Sequence, residues 1–310
     1  MIKRVLFAIG IIGAINSPAS AKTSEAGQCR SVSQGRIIDA PNGVKIGVRT
    51  VGNGKPVLMI PSLGRGVADF DEVAGRLVAE GFMTILPEPR GINGSTGPNP
   101  VDLFDLAGDL AAVLKMMCSG KVDVVGHAFG NRVARSLAAA HPQLVGRVIL
   151  LAGGGAVPLT DPIRAALEGS YAQGSKPDAD RLKDLQLAFF AVGNEPSRWL
   201  SGWFPAAAKA QVDAVRSTSR DRWWQAGESP LLLVQAAEDP IAPPGNSDIL
   251  KKEVGSRLTE ITLRHASHAI LPEQPAAVAM ALKIYLGSHA LPSEEKLQSA
   301  VDRATVPRAR

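Results

Sequence analysis

Six short apolar runs recur along the chain, separated by stretches of helical periodicity, and this alternation limits the fold more than any other feature. The runs are Val57-Leu58-Met59-Ile60, Thr84-Ile85-Leu86, Val122 to Val125, Val148 to Leu151, Leu231 to Val234 and Leu258 to Leu263. Short runs dominated by apolar residues suit strands that are buried on both faces. Between them, Phe70, Val73, Ala74, Leu77 and Val78 fall on one face of a helix, as do Leu103, Leu106, Leu110, Val113 and Met117. Strands alternating with helices predict an α/β chain, a mostly parallel twisted sheet with helices on both faces. A hairpin over Gly35 to Val51 precedes the first run, turning at Pro41-Asn42-Gly43.

One stretch breaks the rhythm. From Val157 to Ser229 the pattern is helical with no convincing strand, and it holds all four tryptophans, Trp199, Trp203, Trp223 and Trp224. We read 157–229 as a helical cap inserted between two parts of an α/β core, 22–156 and 230–290, with 291–310 as a flexible tail. Each tryptophan suits core packing, and several together with Phe189, Phe190 and Phe204 could line an apolar pocket.

The first residues read as an address. Lys3 and Arg4 precede the apolar run Val5 to Ile15, followed by Pro18 and the small-x-small sequence Ala19-Ser20-Ala21. That layout predicts a signal peptide over 1–21 and an exported protein, periplasmic or secreted, with no membrane association after cleavage. Two cysteines cannot make a disulfide scaffold and lack metal-site spacing, although an oxidising compartment permits a Cys29–Cys118 bridge. The net charge is +5, of which Lys3 and Arg4 supply two, leaving too little positive charge for a nucleic-acid footprint. The partner expected is a small-molecule substrate. Oligomeric state is not legible.

In an open parallel sheet the chemistry sits at the carboxyl ends of the strands. After Val122 to Val125 comes Gly126-His127-Ala128-Phe129-Gly130, then a helical stretch. This is the layout of a nucleophile elbow, whose flanking glycines allow a tight turn and whose central residue, normally serine, points outward. Here that residue is Ala128. After Leu231 to Val234 comes Glu238-Asp239-Pro240, and after Leu258 to Leu263 come His265 and His268, the latter followed by Pro272-Glu273-Gln274-Pro275. The order elbow, acid, histidine is that of the α/β-hydrolases.

With those motifs, and with Ile60-Pro61-Ser62-Leu63-Gly64-Arg65-Gly66 and Pro87-Glu88-Pro89-Arg90-Gly91-Ile92-Asn93-Gly94-Ser95, the chain resembles the α/β-hydrolase superfamily in its capped, single-domain form from about Arg36 to Ser288. The resemblance implies His268 as base, Asp239 as its orienting acid, and the backbone N–H groups of Leu63 and Phe129 as an oxyanion hole. It implies no metal and no organic cofactor. Pro61-Ser62 departs from the usual His-Gly, and Ala128 departs from the nucleophile. His265 and Glu238 are the competing base and acid, His127 reads as support within the elbow, and Gly153-Gly154-Gly155 as a turn lacking the Lys of a phosphate loop.

Alanine cannot attack a carbonyl, and three accounts follow. His268, polarised by Asp239, activates a water that attacks a small ester-like or activated carbonyl compound; the resemblance admits this, since the superfamily includes aminoacrylate hydrolases with Ala at this position. Alternatively the protein is a binder that has lost the reaction, or a serine esterase altered from Ser to Ala.

Overall fold

Each of the six apolar runs becomes a strand of one eight-stranded sheet in the computed structural model, which describes residues 27–32 and 35–307. The signal peptide expected over 1–21 lies outside the described residues. The strands are β1 (Gln28–Cys29), β2 (Arg36–Ala40), β3 (Val44–Val51), β4 (Lys55–Ile60), β5 (Phe82–Pro87), β6 (Cys118–Ser119), β7 (Val122–His127), β8 (Val145–Leu151), β9 (Leu231–Ala236) and β10 (Leu258–Leu263). The main sheet runs β10-β9-β8-β7-β4-β5-β3-β2. Only β3 runs antiparallel to its neighbours; the other pairings are parallel.

Successive residues of a strand point to opposite faces, and here that alternation sorts the apolar runs into two cores. Leu58, Val124, Val148, Leu150, Leu231 and Leu233 face one core, while Val57, Met59, Val125, Ile149, Leu151, Leu232 and Val234 face the other. The first is covered by α2 (Leu103–Met117) and α3 (Phe129–Ala140), the second by α1 (Asp71–Ala79) and α9 (Pro275–Gly287). Burial on both faces is why these strands read as runs rich in apolar residues. Helix α2 starts where Asp102 caps it, its side chain accepting from the N–H groups of Phe104 (2.8 Å) and Asp105 (3.0 Å).

Between β8 and β9 lie α4 (Asp161–Ser170), α5 (Asp178–Ala188) and α6 (Pro205–Arg216), and no strand. Trp199 and Trp203 pack with Phe189 and Phe190 in a third cluster. Trp223 and Trp224 do not join them; they pack into the first core beside Val133 and Leu137 of α3. The four tryptophans therefore divide between two cores.

Beyond β9 come α7 (Gly245–Val254) and α8 (Ile270–Glu273). The flexible tail expected over 291–310 is instead, from Glu294 to Ala304, a helix α10 capped by Ser293, with Leu297 and Val301 fully buried. It also shields the sheet edge. Gln298 accepts from Thr262 N–H and donates to the Thr262 carbonyl, both at 2.8 Å, and Glu294 accepts from Glu260 N–H at 3.1 Å, so side chains occupy groups that an exposed β10 would offer to another chain.

At the other end of the chain, β1 pairs antiparallel with β6, and Cys29 and Cys118, opposite one another in that pairing, form a disulfide.

Candidate active site

The turn from β7 into α3 sets the geometry. Ala128 has φ +51° and ψ −111°, a conformation costly for any residue with a Cβ. Its neighbours explain how the turn is tolerated. A Cβ at Gly126 would collide with the Gly130 carbonyl, and one at Gly130 with the Ile60 carbonyl, so both positions demand glycine. The Ala128 N–H donates to the Leu151 carbonyl at 2.9 Å. The Ala128 carbonyl accepts from the Asn131 side-chain amide, and Asn131 Oδ1 in turn accepts from Arg135. Arg135 is wholly buried, also donates to the carbonyls of Trp224 (3.2 Å) and Gly154 (3.0 Å), and lies 4.3 Å from the Trp224 ring centre. Burial holds its pKa well below the usual arginine value.

His268 and Asp239 meet at 2.8 Å, Nδ1 to Oδ2, and both are buried. Asp239 Oδ1 accepts from the N–H groups of Ile241 and Ala242, each at 2.8 Å, so every oxygen of the carboxylate is engaged. That fixes the acid's orientation and leaves Nε2 as the histidine's free ring nitrogen. The competing residues lie elsewhere: Glu238 is exposed, and His265 contributes its backbone carbonyl, which accepts from Asn194 and Gln274.

His127 is wholly buried, and its Nε2 donates to the His268 carbonyl at 2.8 Å. Burial pushes its pKa down to about 3, keeping it neutral. It supports the backbone that carries His268.

A cavity of about 410 Å³ brings Ala128, His268, Leu63, Phe129 and Ser62 to one surface, at the carboxyl ends of the strands. Residues from the helical segment, among them Leu167, Tyr171, Phe189 and Val212, line the rest. None of the four tryptophans lines it, and neither does Phe190 or Phe204. The expectation of an aromatic pocket from these residues is corrected to Phe189 alone, because Trp199 and Trp203 are consumed in packing against each other and against Arg65.

The oxyanion candidates follow two neighbouring strands, Leu63 after β4 and Phe129 after β7. Phe129 is the first residue of α3, so its N–H is one of the donors a helix cannot satisfy internally. In the loop after β4, Gly64 N–H donates to Gln211 Oε1 at 2.8 Å and Arg65 N–H to the Ser62 carbonyl at 3.2 Å, while the Leu63 N–H has no acceptor among the described residues. The Phe204 N–H donates to the Gly64 carbonyl at 2.9 Å. The Pro61-Ser62 loop is thus pinned from α6.

Several supporting residues escaped the sequence reading. Glu273 accepts from Ser267 N–H (2.7 Å), Ala191 N–H (2.7 Å) and Asn194 Nδ2 (2.6 Å), tying the His268 loop to the segment that follows α5. Burial outweighs those bonds and pushes its pKa up to about 7. Gln211, Asn131 and Arg135 carried no signal of their own, since each looks like an ordinary polar residue on an amphipathic helix.

The sequence model of the alpha/beta hydrolase family matches residues 57–281. The chain belongs to the alpha/beta hydrolase family. Among curated relatives, the human serine hydrolase BPHL is 26 % identical over 235 residues, 71 % of this chain and 76 % of that one. A putative non-heme bromoperoxidase, BpoC of Mycobacterium tuberculosis, is 24 % identical over 264 residues, 76 % and 95 % of the two chains. An esterase from Exiguobacterium antarcticum superposes with a TM-score of 0.69 at 19 % identity, over 82 % of this chain and all of that one, a likeness of fold. The mixed, mostly parallel sheet with helices on both sides is therefore an α/β-hydrolase fold.

Proposed function

We propose that the protein hydrolyses a small ester-like or activated carbonyl compound by direct attack of water. The observation that carries this reading is the 2.8 Å pairing of His268 Nδ1 with Asp239 beside Ala128 on the cavity wall. With Nδ1 committed to the carboxylate, Nε2 takes a proton from water as the water oxygen bonds to the carbonyl carbon. Asp239 stabilises the imidazolium, the N–H groups of Leu63 and Phe129 receive the developing oxyanion, and His268 returns the proton to the leaving group. General-base help of this kind supplies about 10²- to 10⁴-fold, and each oxyanion donor about 10²- to 10³-fold. No acyl-enzyme forms, because Ala128 has no attacking atom. The names of the relatives, a serine hydrolase and an esterase, support hydrolysis as the reaction type.

The test is hydrolysis of p-nitrophenyl butyrate by the purified protein, its Ala128→Ser form and its His268→Ala form. Turnover by the unaltered protein that His268→Ala abolishes is the expected result. Turnover confined to Ala128→Ser would reject water attack. The second reading, a binder that keeps the cavity without the reaction, is favoured by Ala128 itself; it expects ligand-dependent thermal stabilisation and no product.

We also propose that the protein works in an exported compartment. The Cys29–Cys118 disulfide supports this, since such bonds persist where the surroundings are oxidising.

A further inference from the structure

Arg132 lies one helical turn past Ala128 on α3 and lines the same cavity as Ala128 and His268. Its guanidinium carries five donors, yet among the described residues no carboxylate or carbonyl accepts from it. It stacks against the Trp223 ring, 5.3 Å from the ring centre. Arg135, one turn further along α3, stacks against the same ring at 5.1 Å and spends its donors on Asn131, Gly154 and Trp224. Two guanidinium groups therefore share one tryptophan with no acid between them. Burial lowers Arg132 to about 10, and Arg135 is held well below the usual arginine value by burial first and by the Arg132 cation second.

The Gly153-Gly154-Gly155 turn belongs to the same arrangement. Gly155 has φ +133°, and a Cβ there would stand 2.7 Å from Trp223 and 3.2 Å from Arg132 Nη1. Glycine thus keeps the space beside the guanidinium clear. Of the other charged residues on the cavity wall, Arg164, Glu168, Lys209 and Arg216 are exposed and Asp213 is half-buried. Lys209 (2.8 Å) and Arg216 (3.7 Å) both pair with Asp213, Arg164 donates to the Leu159 carbonyl at 3.3 Å, and Glu168 is exposed. Arg132, half-buried and one helical turn from Ala128, is the lining cation left without an acceptor among the described residues.

We propose that the cavity takes a substrate bearing a carboxylate, held by the guanidinium of Arg132 while its carbonyl end faces His268. This rests on reading the cavity as the substrate site. A planar guanidinium matches a carboxylate in a two-pronged bond, and an incoming anion supplies the negative charge that the half-buried Arg132 and the buried Arg135 lack. The molecule is then short, with a carboxylate at one end and the reacting carbonyl at the other, both within a cavity of about 410 Å³.

The experiment is calorimetric titration of the purified protein with monomethyl glutarate, dimethyl glutarate and inorganic phosphate. The first two differ in one carboxylate. The expected result is tighter binding of monomethyl over dimethyl glutarate by about ten- to a hundredfold, as one charge-assisted hydrogen-bonded contact gives. Arg132→Gln should erase that preference and Arg132→Lys retain part of it, both with unchanged far-ultraviolet circular dichroism. Arg164→Gln, which alters an exposed cation already engaged by the Leu159 carbonyl, should keep it within about threefold. Equal binding of the two esters by the unaltered protein, no binding of the anionic one up to about 10 mM, a preference that survives Arg132→Gln, or tighter binding of phosphate than of monomethyl glutarate would each overturn the assignment. An anion preference together with no ester turnover would leave this inference standing and reject hydrolysis.

Discussion

His268 Nδ1 lies 2.8 Å from Asp239 Oδ2, and the other oxygen of that carboxylate is held by two backbone N–H groups at 2.8 Å. The carboxylate therefore cannot turn away, and the imidazole presents Nε2 to the cavity. Asp239→Asn should keep the fold and reduce turnover by about 10²- to 10⁴-fold, the range for a displaced general base. Steady-state kinetics on whichever ester the protein turns over would measure this, and an unchanged kcat would remove Asp239 from the site.

Ala128→Ser is the complementary change. The turn already holds the strained φ of +51°, and the added hydroxyl would face a cavity, so the melting temperature should move by no more than about 4 °C. Loss of the nucleophile from an assembled triad costs up to about 10⁶-fold, so p-nitrophenyl butyrate turnover should rise by two orders of magnitude or more. A silent serine form with intact fold would mean that the Leu63 loop fails to receive the oxyanion or that the helical segment rejects this ester.

Glu273 gives a pH signature. Its folded pKa of about 7 lies above the 4.5 of the free side chain, so between those values the folded state holds a proton that the unfolded state has released. Stability from this group therefore falls as pH rises from 4.5 to 7, by about 1–3 kcal/mol. His127, depressed from 6.5 to about 3, acts oppositely: the unfolded state binds the extra proton, so its contribution is lost as pH falls from 6.5 towards 3. The two slopes overlap and partly cancel. Urea denaturation from pH 4 to 8 should show that Glu273→Gln unmasks the His127 slope, with the stability of the variant rising more steeply with pH than that of the unaltered protein. Parallel curves would refute the assignment.

The disulfide closes a long loop, with Cys29 and Cys118 separated by 89 residues in sequence. Restricting the unfolded chain in this way is worth about 2–4 kcal/mol. The Cys29→Ser, Cys118→Ser double variant should melt about 5–15 °C lower, and dithiothreitol should lower the unaltered protein similarly. The same melting temperature with and without reductant would show that the bridge contributes nothing.

The strands were legible in the sequence because burial on both faces leaves an unbroken apolar run, as at Leu231 to Val234. The elbow was legible because only glycine fits at 126 and 130, and Asp239 and His268 because they directly follow strands. Those signals are local. What no local pattern carried was the identity of partners distant in the chain. Arg132, Arg135 and Asn131 look like the polar face of a helix until Trp223, Trp224 and the Gly153–Gly155 turn close over them. Leu297 and Val301 looked like a tail until β10 offered its edge to α10.

The sequence by itself determined the alternating α/β order, the tight turn at Ala128 and the absence of a nucleophilic atom there, since these follow from side-chain size, periodicity and backbone strain. Only the tertiary structure decided which donors hold the Asp239 carboxylate, which aromatics line the cavity and which cation is left without a partner. Hydrogen bonds and desolvation act over a few ångströms in space, and the fold brings together residues that stand far apart in the chain.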